Sequence, residues 1–219
     1  MTEDADRFLV IGPSSVGDMV MAQVLFRYLR GVRPGILIDV LAPDWSAPLL
    51  RRMPEVRRAI PMPVGHGELR LAQRWRIGRA LRGERYRQAI VLPNSLKSAL
   101  VPCFAGIRRR TGWRGEMRYG LLNDLRVLDP EALPQMAQRF LALGMPRGAT
   151  LPRHMPGPRL QADPSAAAAV VARLGLETGR DTLALCPGAE FGPAKQWPAS
   201  YFAQFAADYL ERGLSLIHI

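Results

Sequence analysis

Residues 7–30 read RFLVIGPSSVGDMVMAQVLFRYLR. Phe8, Leu9, Val10 and Ile11 form a short unbroken apolar run, the pattern of a strand covered on both faces. Gly12 and Pro13 end it. Met19, Val20, Ala22, Leu25, Phe26 and Leu29 then recur at the spacing of a helical apolar stripe. Between strand and helix lies Ser14-Ser15-Val16-Gly17-Asp18. In an open α/β sheet, ligands bind where a strand's carboxyl end meets the next helix. Asp18 stands about where that helix begins.

The loop does not read as a nucleotide cradle. Gly12 and Gly17 have the glycine spacing of a phosphate-binding loop, but Asp18 occupies the lysine position, where an acid repels phosphate. A dinucleotide fingerprint needs glycine where Ser14 stands. Two readings of Asp18 remain. It is a favourable charge on a helix N-terminus, contributing under about 1 kcal/mol. Or it is an ionised carboxylate facing a crevice, able to take a proton from a hydroxyl.

Outward from this stretch, the chain reads as globular. Its 219 residues are 48% hydrophobic and 22% charged, enough for a sizeable core in one or two domains. The net charge of +11, mostly arginine, favours an anionic partner, unless it only serves solubility. No compact basic block with interleaved aromatics occurs, so nucleic acid is not expected. Cys103 and Cys186 sit in apolar surroundings and read as buried free thiols of a reducing compartment. Two cysteines and three scattered histidines do not make a zinc site, and no metal is expected. The acidic start MTEDADR does not read as a secretory signal. No apolar run reaches the roughly 18 residues of a membrane span.

Further strands are expected at Ile36–Leu41, Val56–Met62 (an edge, given its flanking prolines), Gln88–Leu92 and Ile107–Trp113. Ser46 is a candidate cap for a short segment, and Gly65-His66-Gly67 a turn. Glu68–Arg82 reads as a basic helix, either a solvated face or one resting on anionic headgroups. After the strand at 88–92, Asn94 or Ser95 can cap a helix through Phe104. Lys97 in a first turn opposes the helix dipole, so a bound anion is a reason for it, against a lysine merely in solvent. Arg114, Arg118 and Tyr119 lie in a loop from Gly112 to Gly120. Arginines there grip phosphates in bidentate fashion, or pair internally with Glu116 and Asp124.

A helix over Pro130–Leu143 closes a first domain, 1–144, and the Pro/Gly-rich stretch 145–163 reads as a linker. Asp163-Pro164 opens a helix ending at Gly175. Thr182–Cys186 is a strand, the loop Pro187 to Lys195 follows, and a helix runs from Pro198 to Glu211. This second strand–loop–helix unit, in a domain over 164–219, echoes the first. It carries Lys195 where the first carries an acid.

The segments GPSSVGDMVMAQ, LAPDWSAPLL, LPNSLKSALVPCFAGI, RRTGWRGEMRYGLLND and CPGAEFGPAKQWP follow one another as in the ADP-heptose:lipopolysaccharide heptosyltransferases of glycosyltransferase family 9. The chain resembles their type II branch from its start to about Arg212. The resemblance implies an α/β, GT-B type fold: a Rossmann-like N-terminal, acceptor-side domain and the beginning of a second Rossmann-like, donor-side domain, with the site between them. It implies inverting transfer of heptose from ADP-heptose to the lipopolysaccharide inner core, with no cofactor, in the cytoplasm at the inner-membrane surface. Asp18 then matches the general base. Gly188 and Lys195 fall on the donor side, and Asn94, Lys97, Arg114 and Arg118 on the side of the anionic acceptor. The ending GLSLIHI departs from the family pattern. A shortened, inactive piece of a longer enzyme is the corresponding expectation. A non-catalytic sugar- or nucleotide-binding module of the same fold, or a sister core heptosyltransferase, are the alternatives.

Overall fold

The computed structural model describes residues 6–64, 68–176, 179, 181–189, 192–213 and 215–218, without the side chains of 215–218. The turn expected at 65–67 and the loop residues 190 and 191 lie outside the described residues. The chain divides into two units, Met1–Gln161 and Ala162–Ile219.

In the first unit, in chain order, come β1 (Arg7–Ile11), α1 (Val16–Val32), β2 (Leu37–Ala42), α2 (Ala47–Leu50), β3 (Val56–Pro61), α3 (Leu71–Leu81), β4 (Gln88–Val91), α4 (Leu100–Phe104), β5 (Arg109–Trp113), β6 (Asp124–Arg126) and α5 (Met136–Gly144). The six strands form one parallel sheet in the order β3-β2-β1-β4-β5-β6. Alternate strand residues serve opposite faces, as the period of two requires. Phe8, Val10, Ile38, Val40 and Ile90 pack with Met19, Leu25, Phe26, Phe140 and Leu143 of α1 and α5. Leu9, Ile11, Leu41, Ala89 and Val91 pack with Leu81, Val101 and Ala105 on the side of α3 and α4. Both faces are dry, which explains why β1 and β4 read as unbroken apolar runs.

Several expectations need correction. Ser46 does not cap α2; its hydroxyl donates to the Pro43 carbonyl at 2.6 Å inside a 3₁₀ turn over Asp44–Ser46. The helix expected from 130 begins only at Met136, where Gln135 and Gln138 make a reciprocal capping box. The strand β6 has no apolar run to announce it; Asp124, Leu125 and Arg126 hold it as an edge. The stretch expected as a linker packs along the first unit as far as Gln161. Met145 is buried with Val24 and Leu141, and Leu151 and Met155 pack on that cluster. The Arg159 amide donates to Gln23 Oε1 at 2.8 Å, and the Gln161 amide to the Arg52 carbonyl at 2.8 Å. Neither cysteine is buried: Cys103 is half-buried and Cys186 exposed.

The second unit contains α6 (Pro164–Arg173), β7 (Thr182–Leu185), α7 (Ala199–Glu211) and β8 (Ser215–His218). Asp163 caps α6, accepting from the Ala166 amide at 3.0 Å, with proline at the first helical position as read from the sequence. The strands β7 and β8 pair in parallel.

Two acids, one buried and one half-buried, steady the first unit. Asp39, in β2 with no exposure, accepts from Arg57 Nε at 2.8 Å, Arg57 Nη2 at 2.5 Å and the Tyr86 hydroxyl at 2.5 Å. Burial pushes its pKa up, but these hydrogen bonds and the charges of Arg57 and Arg58 outweigh it and hold the carboxyl below its ordinary range. Asp124 accepts from Arg126 Nη2 at 3.0 Å, Arg109 Nη2 at 3.0 Å and Thr111 Oγ1 at 2.9 Å. Its burial also acts upward, yet the donors bring it down to about 2.

A carboxyl with a depressed folded pKa contributes stability above its unfolded pKa and loses it as pH falls through the folded value. Asp124→Asn is therefore expected to cost about 2 kcal/mol near pH 7, and the difference from wild type to shrink below about pH 4. Urea melts across that pH range check it. A difference independent of pH would show that the Asp124 charge is not what the edge strand uses.

Candidate active site

The strand order reverses direction at β1 and β4. From β1 the chain moves outward to β2 and β3, and from β4 outward the other way to β5 and β6. Such a switch point leaves a crevice beyond the strands' carboxyl ends. The loops after β1 and β4 therefore flank one opening, and the Leu92 amide donates to the Ile11 carbonyl at 3.2 Å just beneath it.

The first wall is the quoted loop. Gly12 packs closely against Met19, Val40 and Ala42, and a Cβ there would press on all three side chains. Ser15 caps α1: its Oγ accepts from the Asp18 amide at 3.2 Å and donates to Asp18 Oδ2 at 2.7 Å. Asp18 is half-buried in the first turn. Its Oδ1 has no partner among the described residues. One carboxylate oxygen is thus fixed by the cap, while the other is not.

The second wall is the loop after β4. It enters a 3₁₀ turn, Leu96–Ala99, that runs into α4. Neither Asn94 nor Ser95 caps this turn, contrary to expectation. The cap comes from another strand's loop: Glu116 Oε2 accepts from the Leu96 amide at 2.7 Å, and the Glu116 amide donates to the Asn94 carbonyl at 3.1 Å. Gly115 lies against the Asn94 backbone so closely that a Cβ would overlap the carbonyl oxygen. Asn94 is exposed, and the half-buried Lys97 ammonium has no hydrogen bond or ion pair among the described residues. Arg114 is exposed, its side chain likewise unpartnered among the described residues.

Arg118 departs from expectation. It is only 1% exposed. Nη1 donates to the Pro93 carbonyl at 2.6 Å and to Ser98 Oγ at 3.1 Å; Nη2 donates to the Trp113 carbonyl at 2.5 Å and to Asn94 Oδ1 at 3.2 Å. It ties the β4 and β5 loops together through both terminal nitrogens, while its buried Nε has no hydrogen-bond partner among the described residues, so the structure buries the side chain where an exposed acceptor contact was expected. It pairs with no carboxylate among the described residues. Burial lowers its pKa to about 10, with Glu116 acting partly against that, so it stays charged at neutral pH. A buried cation beneath Asn94 and Lys97 makes this wall electropositive.

The internal pairing considered for the arginine loop also changes. Asp124 is taken by Arg109, Arg126 and Arg147. Glu116 serves the backbone rather than Arg114. Sequence reading missed Glu116 as a cap and Arg74 as a buried tie; Arg74 donates to the carbonyls of Leu69 at 2.7 Å, Lys97 at 3.2 Å and Glu68 at 3.2 Å. An acid in the middle of a glycine-punctuated loop and an arginine at a core-facing helix position were the available signals.

In the second unit, Gly188 follows β7 in open surroundings, and Lys195 ends a 3₁₀ turn, Pro193–Lys195, that precedes α7. Gly192 holds φ at +103°, a conformation that favours glycine, and its carbonyl accepts from the Lys195 amide at 3.2 Å. Among the described residues no three of His, Cys, Asp and Glu gather as metal ligands.

The model of glycosyltransferase family 9 (heptosyltransferase) matches residues 74–218. Lipopolysaccharide heptosyltransferase 2 of Escherichia coli K12 is 51% identical over 216 residues, taking in 96% of this chain and 62% of that protein. The protein of the same name from Salmonella typhimurium LT2 is 50% identical over 216 residues, with the same coverage. The solved structure of E. coli ADP-heptose lps heptosyltransferase II superposes with a TM-score of 0.89 at 49% identity, over 97% of this chain and 63% of that one. That is the α/β, GT-B type fold anticipated above. The chain spans about 62% of the length of the curated relatives it matches.

Removing Arg118 leaves a set of buried carbonyls without donors. Arg118→Ala is expected to destabilise the first unit by about 1–3 kcal/mol, the cost of leaving buried acceptors unsatisfied. Arg118→Lys should recover only part of this, because an ammonium cannot fork to both loops. Thermal melts followed by circular dichroism check it. A cost under about 1 kcal/mol would show that the loops hold themselves without the staple.

Proposed function

The chain belongs to glycosyltransferase family 9, the heptosyltransferases, and from that premise we propose that it serves transfer of L-glycero-D-manno-heptose from ADP-heptose to the heptose of the lipopolysaccharide inner core. The observation that carries the reading is Asp18: a carboxylate fixed through Oδ2 by its own helix cap, its other oxygen unpartnered among the described residues, at the sheet's switch point. Relatives named for this activity, at about half identity, support it.

In the proposed step an acceptor hydroxyl lies against Asp18 Oδ1. Its oxygen attacks C1 of the donor heptose as its proton passes to the carboxylate. The bond from C1 to the ADP oxygen breaks, that electron pair leaves with ADP, and the sugar centre inverts. Lys195 and amides near Gly188 meet the charge developing on the departing diphosphate. Asn94, Lys97 and Arg114 orient an acceptor bearing phosphates and carboxylates, on a wall whose potential Arg118 raises from below. The reading assigns no metal or other cofactor, and it puts the enzyme in the cytoplasm, at the inner-membrane surface where the acceptor is anchored.

The test uses residues 1–212 extended by the remaining sequence of the E. coli relative, assayed with ADP-heptose and a heptosylated acceptor. Asp18→Asn is expected to lower kcat by about 10²–10⁴ while ADP-heptose binding, by calorimetry, stays unchanged. Lys97→Gln with Arg114→Gln should raise the acceptor KM more than the donor KM, by a factor that shrinks at high salt. Full turnover by the Asn variant would remove Asp18 as base. An unchanged acceptor KM would remove the electropositive wall as the acceptor's seat.

A further inference from the structure

The outer surface of α3 departs from an ordinary solvated helix. From Leu69 to Gly83 the chain carries five arginines and no acid. Arg74, Gly78 and Leu81 face inward and are buried. The outward positions hold Leu71, 51% exposed, and Trp75, 48% exposed, with Leu69 beside them at 51%. A helix that turned this face only to water would gain nothing from showing it a tryptophan and leucines. Arg79 lies over the Trp75 ring at 5.3 Å, and the exposed Arg76 has no partner among the described residues. A groove of about 600 Å³ opens on this surface, with Leu71, Ala72 and Ile77 in its lining and Arg70 and Arg76 flanking them.

We propose that the outer face of α3 seats the chain on a bilayer bearing anionic lipid headgroups, with Trp75 and Leu71 entering the interface and Arg76 and Arg79 meeting phosphates. Charge complementarity selects this occupant. Each exposed basic residue near an anionic bilayer contributes about 1 kcal/mol, and tryptophan prefers the headgroup level. A second tie links this face to the crevice. The buried guanidinium of Arg74 joins the Glu68 and Leu69 carbonyls to the Lys97 carbonyl. The segment leading into α3 and the loop carrying Asn94 and Lys97 are therefore joined through one guanidinium, so docking through α3 brings that loop to the bilayer with it. The docking is a property of these residues alone; its use in presenting a lipid-borne acceptor rests on the heptosyltransferase reading.

The experiment compares flotation of the 219-residue chain with vesicles of phosphatidylcholine alone and with vesicles half of phosphatidylglycerol. Binding is expected only to the anionic vesicles and should weaken with salt. Arg76→Gln with Arg79→Gln should weaken it about 30-fold, two arginines at about 1 kcal/mol each. Trp75→Ala should remove the residual binding at high salt. Arg51→Gln with Arg153→Gln, two exposed arginines on the α1 side of the sheet, should change it less than about twofold if the attraction is local. Equal losses from both pairs would mean diffuse attraction to the net positive charge, and would overturn the proposal. Brominated lipid is expected to quench wild-type fluorescence more than that of Trp75→Phe; equal quenching would also overturn it, whatever the folding of the arginine variants. No step uses ADP-heptose, so docking of this chain upholds the inference whatever the extended protein transfers, and failure of transfer by the extended protein counts against the heptosyltransferase reading alone.

Discussion

The reversal of chain direction between β1 and β4 is the constraint on which the site depends. Two parallel strands lie side by side, yet each sends its chain away from the other. No connection can cover the gap above them, so the sheet carries an opening that packing does not close. What the sequence places on the rims decides the chemistry. One rim carries a carboxylate fixed through one oxygen. The other carries an ammonium without a partner among the described residues, above a buried guanidinium.

Holding those rims is costly, because loops lack a ladder to satisfy their backbones. The fold solves this by exchange between loops. Glu116, from the loop after β5, caps the turn after β4. Arg118, from the same loop, takes up the Pro93 and Trp113 carbonyls. Gly115 lets the two backbones touch. Lys97 and Arg114 are left without partners among the described residues, while Glu116 and Arg118 take up the backbone of the loops that carry them. That division sets apart two arginines four residues apart: Arg114 is exposed and Arg118 is buried.

The sequence shows the sheet more plainly than the site's support. Apolar runs at 8–11 and 88–92 announce β1 and β4 because both faces of those strands are dry. The cap at Asp163 and proline at 164 are equally plain. β6 is invisible because three residues with two charges carry no periodicity, and only its partners make it a strand. Asp18 stands out because a helix start after a buried strand limits where its carboxylate can be. Arg118 is misread because a glycine-rich loop looks solvent-facing, and nothing local distinguishes a guanidinium that reaches a ligand from one that reaches five backbone and side-chain acceptors. The stretch after Met145 misleads similarly: proline and glycine suggest a tether, whereas Met145, Leu151 and Met155 supply the apolar contacts that lay it along α1 and α5.

The central claim is that the crevice over β1 and β4 seats the acceptor against Asp18. Crystallographic location of a phosphorylated heptose acceptor analogue soaked into the chain tests it most directly. The account predicts density between the loops at 12–18 and 93–98, with a sugar hydroxyl within about 3 Å of Asp18 Oδ1 and the phosphate beside Lys97. Density confined to a different cavity, such as the groove between Trp113, Val127 and Leu151, with the Asp18 carboxylate left in solvent, would contradict it.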